Sequence, residues 1–116
     1  MKPHAFPPSR KITQSRDFTE IIDRGFRFNG EMIRAACLNR NGRFARIGIS
    51  VGRRYGPSVK RNLFKRMVRE AFRTGKKPLL PYDIIVMPVM PPVPPALKEC
   101  IKDFSKLNDY MKDASA

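Results

Sequence analysis

Two spacings of apolar residues alternate along the chain, and together they predict three helices and three strands. Apolar residues recur at i, i+3 and i+4 in three segments, as on one face of an amphipathic helix. The predicted helices span residues 15–24, 58–73 and 96–112. Short apolar runs bounded by turn-forming residues predict strands over residues 31–38, 44–51 and 82–87. Residues 1–13 contain three prolines and are predicted to form a loose lead-in.

The order of these elements predicts a single α+β domain, α-β-β-α-β-α, with a small sheet covered by helices on one side. The chain has 116 residues, a length that suits one domain. Asn41-Gly42 lies between the first two predicted strands and predicts a hairpin turn there. In the second strand, Gly48 and Ser50 share a face that is almost bare of side chains. We therefore expect another element or a ligand to approach that backbone closely.

Positive charge is more abundant than the fold of a small domain requires. The chain has 24 Lys and Arg against 10 Asp and Glu, which gives a net charge of +14. Because such a charge repels itself, it indicates a polyanionic partner, with nucleic acid the first candidate and an anionic membrane surface the second. Ten basic residues lie between Arg53 and Lys77, together with one acid, Glu70.

The predicted helix over residues 58–73 separates apolar and basic residues onto opposite sides. At about 100° per residue, one arc is apolar; it comprises Leu63, Phe64, Met67, Val68, Ala71 and Phe72. The opposite arc holds Asn62, Lys65, Arg66, Arg69 and Arg73, and beside it lie Lys60, Arg61 and the loop residues Arg53 and Arg54. Like charges at these spacings destabilise a helix. The pattern therefore favours a phosphate-binding surface over an ordinary solvated face.

Patterns typical of catalysis and metal binding are missing from the sequence. His4 is the single histidine, and Glu70 is the one acid in the basic region, whereas a protein-based nuclease would usually need acidic groups to hold metal ions. Cys37 and Cys100 lie in apolar segments, which predicts buried thiols and a reducing, cytoplasmic compartment. Apolar runs are short and broken by proline, so we expect no membrane span. We also expect no catalytic residue, no protein-bound metal and no small-molecule substrate.

Several segments of the sequence resemble one family. The stretch "RNLFKRMVREAFR", preceded by "ISVGRRYGPSVK", is similar to the signature region of the bacterial ribonuclease P protein subunit. "RDFTEIIDRG" resembles the first helix of that family, and "YDIIVM" resembles its last strand. The resemblance extends over roughly residues 10 to 112, and it implies an α+β fold with a left-handed β-α-β crossover.

The resemblance also implies a function. Proteins of this family are expected to bind a catalytic RNA, which removes the 5′ leader of precursor tRNA with the help of Mg²⁺ held mainly by the RNA. By position, the RNA-facing residues would be Arg53, Arg54, Arg61, Asn62, Lys65, Arg66 and Arg69. The charge pattern adds Lys60 and Arg73. Phe18 and Ile22 would line a cleft for the single-stranded leader.

Two departures from the family pattern affect these expectations. Leu63 stands where the family usually has a second arginine, and its place on the apolar arc predicts that it points inward. An aromatic residue common on the cleft-facing strand is replaced near Ala35-Ala36. Two other interpretations stay open at this stage. One is a general RNA-binding or ribosome-associated domain; the other is a peripheral membrane protein, which would need its apolar arc exposed.

Overall fold

The computed structural model describes residues 11–74 and 79–115, which form a four-stranded sheet and three helices. In chain order the elements are α1 (Ser15–Arg24), β1 (Phe26–Asn29), β2 (Ile33–Leu38), β3 (Arg46–Ile49), α2 (Ser58–Thr74), β4 (Asp83–Pro88) and α3 (Leu97–Ser115). A short 3-10 turn, Arg53–Tyr55, lies between β3 and α2. The α+β class is as predicted. The structure adds β1, and it places β2 and β3 within the longer ranges predicted for them.

The strands are ordered β1-β2-β4-β3 across the sheet. β4 is antiparallel to β2 and parallel to β3, so β3, α2 and β4 form a β-α-β unit. The predicted hairpin between β2 and β3 is wrong, because β4 lies between these strands. Asn41 does turn the chain, with φ of 60°, but the turn passes the Asp83 end of β4.

Burial explains why β4 takes the central position. Ile84, Ile85 and Val86 are consecutive and each has 0% of its surface exposed, so both faces of β4 are covered. A strand with this continuous apolar pattern suits the interior of a sheet better than its edge. Pro88 is the last residue of β4 and is opposite Ile33, one residue beyond the predicted end of this strand.

Helices cover both faces of the sheet, rather than the one face that was predicted. The main core lies on one face, where residues of α2 and α3 pack against β1, β2 and β4; examples are Phe28, Ile84, Phe64 and Leu107. A smaller cluster lies on the other face beneath α1. It comprises Ile12, Ile21, Ala36 and Ile85, with Phe18, Ile22, Leu38 and Met87 packed at its rim.

The segment just before α1 is attached to β3. Lys11 forms a parallel bridge with Ile47, and the Ile12 N–H donates a hydrogen bond of 2.9 Å to the Ile47 carbonyl. Ile12 is buried. The prediction of a loose lead-in is therefore wrong for residues 11–13, while residues 1–10 lie outside the described part of the chain. Gln14 occupies the N-cap of α1.

A buried carboxylate on α3 fixes the turn between β1 and β2. Asp103 is 1% exposed, and its oxygens accept hydrogen bonds from the backbone N–H groups of Glu31, Met32 and Ile33 at 3.2, 2.7 and 3.0 Å. The turn lies so close that a Cβ added to Gly30 would be 2.6 Å from the Asp103 Cγ. Asp103 therefore attaches α3 to the β1–β2 turn.

Candidate nucleic-acid interface

Helix α2 places its two arcs as the sequence predicts, with one exception. Phe64, Met67, Val68 and Ala71 are buried in the main core. On the opposite side Lys60, Asn62, Arg66, Arg69 and Arg73 are exposed, whereas Arg61 and Lys65 are half-buried. The basic residues therefore form a surface on the outer side of α2, which we call the basic face.

Leu63 is the exception, and the prediction that it points inward is wrong. Its side chain is 51% exposed, and Val59, one turn earlier, is 69% exposed. Leu63 lies at the edge of the apolar arc, whereas the buried residues Met67, Ala71 and Phe64 lie nearer its middle. Because Met67 is buried and Phe72 packs against Phe104, most of the arc is unavailable to a membrane surface.

The loop before α2 holds two further cations at the end of the basic face. Arg53 and Arg54 lie in the 3-10 turn and are exposed. Tyr55 attaches this turn to the core, since its ring lies 5.2 Å from that of Phe64. Gly56 then adopts a φ of 148°, which side chains rarely tolerate, and its carbonyl accepts a hydrogen bond of 3.2 Å from Arg61 Nε. Arg61 thus helps to hold the loop in place.

One cation of the basic face has an acidic partner on the same helix. Arg73 forms an ion pair with Glu70, one turn away. Glu70 is the single acid of α2, so the pairing leaves the positive charge of the N-terminal and central turns uncompensated within the helix. The available charge is therefore greatest from Lys60 to Arg69.

The predicted close approach to β3 is made by α1. The Phe18 ring covers Gly48, and a Cβ added at Gly48 would be only 2.7 Å from the Phe18 Cζ. On the same face Ala36 is fully buried beneath α1, in the cluster that includes Ile21 and has Ile22 at its rim. The small residues on β2 and β3 let α1 lie close to the sheet, and this leaves Phe18 half-buried at the border of α1.

A pocket connects Phe18 to the basic face. It has a volume of about 100 Å³ and lies between the segment before α1, the edge strand β3 and helix α2. Its lining residues are Lys11, Ile12, Thr13, Phe18, Ile47, Gly48, Ile49, Lys65 and Arg69. The structure therefore brings the aromatic residue of the predicted cleft together with two residues of the predicted RNA-binding set. Ile22 is in the rim of the small cluster instead.

Lys11 is a pocket residue that sequence reasoning missed. It falls within the predicted lead-in, but its bridge to Ile47 attaches it to β3, and it lines the same pocket as Lys65 and Arg69. The available signal was the apolar Ile12 between polar neighbours, because burial of its side chain is favourable.

An ion-pair network holds α1 over the sheet, and sequence reasoning missed it as well. Arg40 Nη1 donates to Asp17 Oδ1 on α1 at 3.0 Å and to Asp83 Oδ2 on β4 at 3.3 Å. Arg46 Nε and Nη2 bind both oxygens of Asp83, at 2.9 and 2.7 Å. The hydrogen bond with Asp83 raises the pKa of Arg46, so this guanidinium remains charged. The network fixes the position of α1, and with it the position of Phe18.

Burial raises the pKa of Cys37 and of Cys100 to about 12, so both thiols are protonated at neutral pH and are poor nucleophiles. Within residues 11–74 and 79–115, His, Cys, Asp and Glu side chains form no group of three that could hold a metal ion. In the same part of the chain, none of the helices is long and apolar enough to span a bilayer.

Comparison with known proteins identifies the family of the chain. The Ribonuclease P family model matches residues 6–111. The ribonuclease P protein component of Chlamydia abortus is 33% identical over 101 residues, covering 86% of this chain and 72% of the relative. That of Dictyoglomus thermophilum is 30% identical over 109 residues, covering 92% and 86%.

Solved structures show the same fold. A Staphylococcus aureus RNase P protein superposes with a TM-score of 0.75 at 27% identity, covering 89% of this chain and 95% of that one. The Thermotoga maritima RNase P protein gives a TM-score of 0.64 at 27% identity, with coverage of 90% and 93%. The chain therefore belongs to the ribonuclease P protein family.

Proposed function

We propose that the protein binds the catalytic RNA of ribonuclease P and the 5′ leader of precursor tRNA, and so assists removal of the leader by the RNA. The observation that supports this proposal most directly is the pocket at which the Phe18 ring meets Lys65 and Arg69. There, a surface suited to stacking adjoins a surface suited to phosphates.

The basic face and the adjoining loop would contact the catalytic RNA. The proposed contacts are Arg53, Arg54, Lys60, Arg61, Asn62, Lys65, Arg66, Arg69 and Arg73. Most of these side chains are exposed, and arginine presents a planar fork that suits phosphate oxygens. Each phosphate contact releases counterions, so we expect affinity to fall steeply with salt and to depend little on base sequence.

The single-stranded leader would lie along the border between α1 and β3. Unpaired bases stack on aromatic side chains, and cations beside the ring hold the backbone. Phe18 supplies the ring, with Ile22 further along the same helix, and Lys11, Lys65 and Arg69 supply the charge. Mature tRNA has no leader and would gain nothing from this contact, so the protein would favour precursor over product.

The cleavage chemistry would belong to the RNA. In residues 11–74 and 79–115 the acidic and cysteine side chains form no group of three that could hold a metal ion, so we assign the Mg²⁺ to the RNA. The protein would instead lower the repulsion between two polyanions with the cations of its basic face. Less Mg²⁺ would then be needed to reach the same activity.

Binding of precursor and mature tRNA by the ribonuclease P RNA, with and without the protein, tests this proposal at fixed salt. We expect the protein to tighten precursor binding more than mature tRNA binding, and to reduce the Mg²⁺ concentration needed for cleavage. Phe18→Ala should remove much of the preference for precursor, while Phe44→Ala, at an exposed phenylalanine that does not line the pocket, should retain it. Equal tightening of both tRNAs with an unchanged Mg²⁺ requirement would instead indicate a general RNA-binding domain.

A further inference from the structure

Val59 and Leu63 form an exposed apolar step on α2. They are separated by one helical turn, and their exposed fractions are 69% and 51%. Among the apolar residues in the middle of the same helix, Phe64, Met67, Val68 and Ala71 have exposed fractions between 0% and 9%. The step is therefore outside the core, and the packing of α2 does not account for it.

The step borders the basic face. At about 100° per residue, Val59 lies roughly 20° and Leu63 roughly 60° around the helix from Arg66. Lys60 adjoins Val59 in the first turn, and both Lys60 and Arg66 are exposed. A partner that covers these cations would also be in reach of the two apolar side chains.

We propose that Val59 and Leu63 pack against an unpaired base or a ribose of the catalytic RNA, at the edge of its contact with the basic face. Charge selects this occupant over a second copy of the chain, because the step lies among cations of a protein with a net charge of +14. Two such surfaces would repel each other, whereas a polyanion would be attracted. Bases and riboses are the apolar surfaces that RNA offers between its phosphates.

This proposal rests on the proposed function, and it adds a different physical component to binding. Phosphate contacts weaken as salt rises because they release counterions. Burial of apolar surface depends far less on salt. The step would therefore contribute a part of the affinity that remains at high salt, where the contribution of the arginines has fallen.

Salt titrations of RNA binding separate the two components. Leu63→Asn should weaken binding of the ribonuclease P RNA by about fivefold to tenfold, by a similar factor at each salt concentration, so the slope of log affinity against log salt stays the same. Leu97→Asn is the matched control, since Leu97 is a 40% exposed leucine at the start of α3, and it should bind as the wild type does. Both variants should keep the thermal stability of the wild type.

Three outcomes would overturn the proposal. Wild-type affinity in Leu63→Asn would show that the RNA does not cover the step, even though the protein binds the RNA. An equal loss of affinity in Leu97→Asn would show that replacing any exposed leucine by asparagine weakens RNA binding, wherever the leucine lies. Failure of the wild-type protein to bind ribonuclease P RNA would overturn the proposed function together with this inference, and the wild-type titration distinguishes that case from the other two.

Discussion

Helices α2 and α3 are alike in length and packing but differ in how they use their polar residues. They have 17 and 19 residues, and both pack on the same face of the sheet. From Lys98 to Asp113, α3 has four lysines and four acids, whereas α2 has six basic residues and one acid. Burial of an apolar face therefore does not require the charge of α2.

The polar residues of α3 include two that serve the fold. Asp103 accepts three backbone hydrogen bonds from the β1–β2 turn, and Asn108 Oδ1 accepts one of 3.0 Å from the Leu80 N–H. Both side chains are buried. On α2, by contrast, Arg66 and Arg69 are exposed. The comparison shows that position and burial, rather than charge alone, distinguish a polar residue that stabilises the fold from one available to a partner.

The largest effect on stability is expected at Asp103. Asp103→Ala would leave three backbone N–H groups without their acceptor, so the free energy of unfolding should fall by about 3 kcal/mol. Denaturant unfolding measures the loss. Asp109→Ala removes the same charge from an exposed position of α3 and should change stability little. If Asp103→Ala proves too unstable to purify, Asp103→Asn keeps one oxygen acceptor and should show a smaller loss. Wild-type stability in both variants would contradict the role of Asp103 in the fold.

A smaller effect of the same kind is expected at Asn108. Asn108→Ala would remove the acceptor of the Leu80 N–H, which should lower the free energy of unfolding by about 1 kcal/mol. Affinity for RNA, measured on the folded protein, should stay at the wild-type value. Ser105→Ala, at an exposed position of the same helix, is the control. An effect of Asn108→Ala on RNA affinity with unaltered stability would reverse the distinction drawn between α2 and α3.

Local patterns in the sequence were sufficient to predict α2. Its residues repeat at helical spacing over four turns, so burial of Phe64 and Val68 and exposure of Arg66 follow from the period alone. Leu63 lies at the boundary between the arcs. The helical period cannot predict whether a residue at this boundary is buried or exposed, because its exposure depends on how far the neighbouring elements extend around the helix.

Features that depend on distant residues were not predicted. The hairpin at Asn41 was wrong because a turn signal says nothing about the partner of a strand, and β4 lies 42 residues further along the chain at Asp83. The network of Arg40, Asp17 and Asp83 was missed for the same reason, since these residues are distant in sequence and meet only after the sheet has formed. β1 was missed because four residues are too few for a clear alternation.

Paired substitutions on the two helices test the central claim, that α2 presents its charge to RNA while α3 does not. Arg66→Ala with Arg69→Ala, and Lys106→Ala with Lys112→Ala, each remove two positive charges from exposed positions. The measurement is the slope of log affinity for ribonuclease P RNA against log salt. We predict that the α2 pair lowers the magnitude of the slope by about 1.4–1.8, with thermal stability unchanged, and that the α3 pair leaves the slope as it is. Equal changes of slope in the two pairs, or a loss of stability in the α2 pair without a change of slope, would contradict the claim.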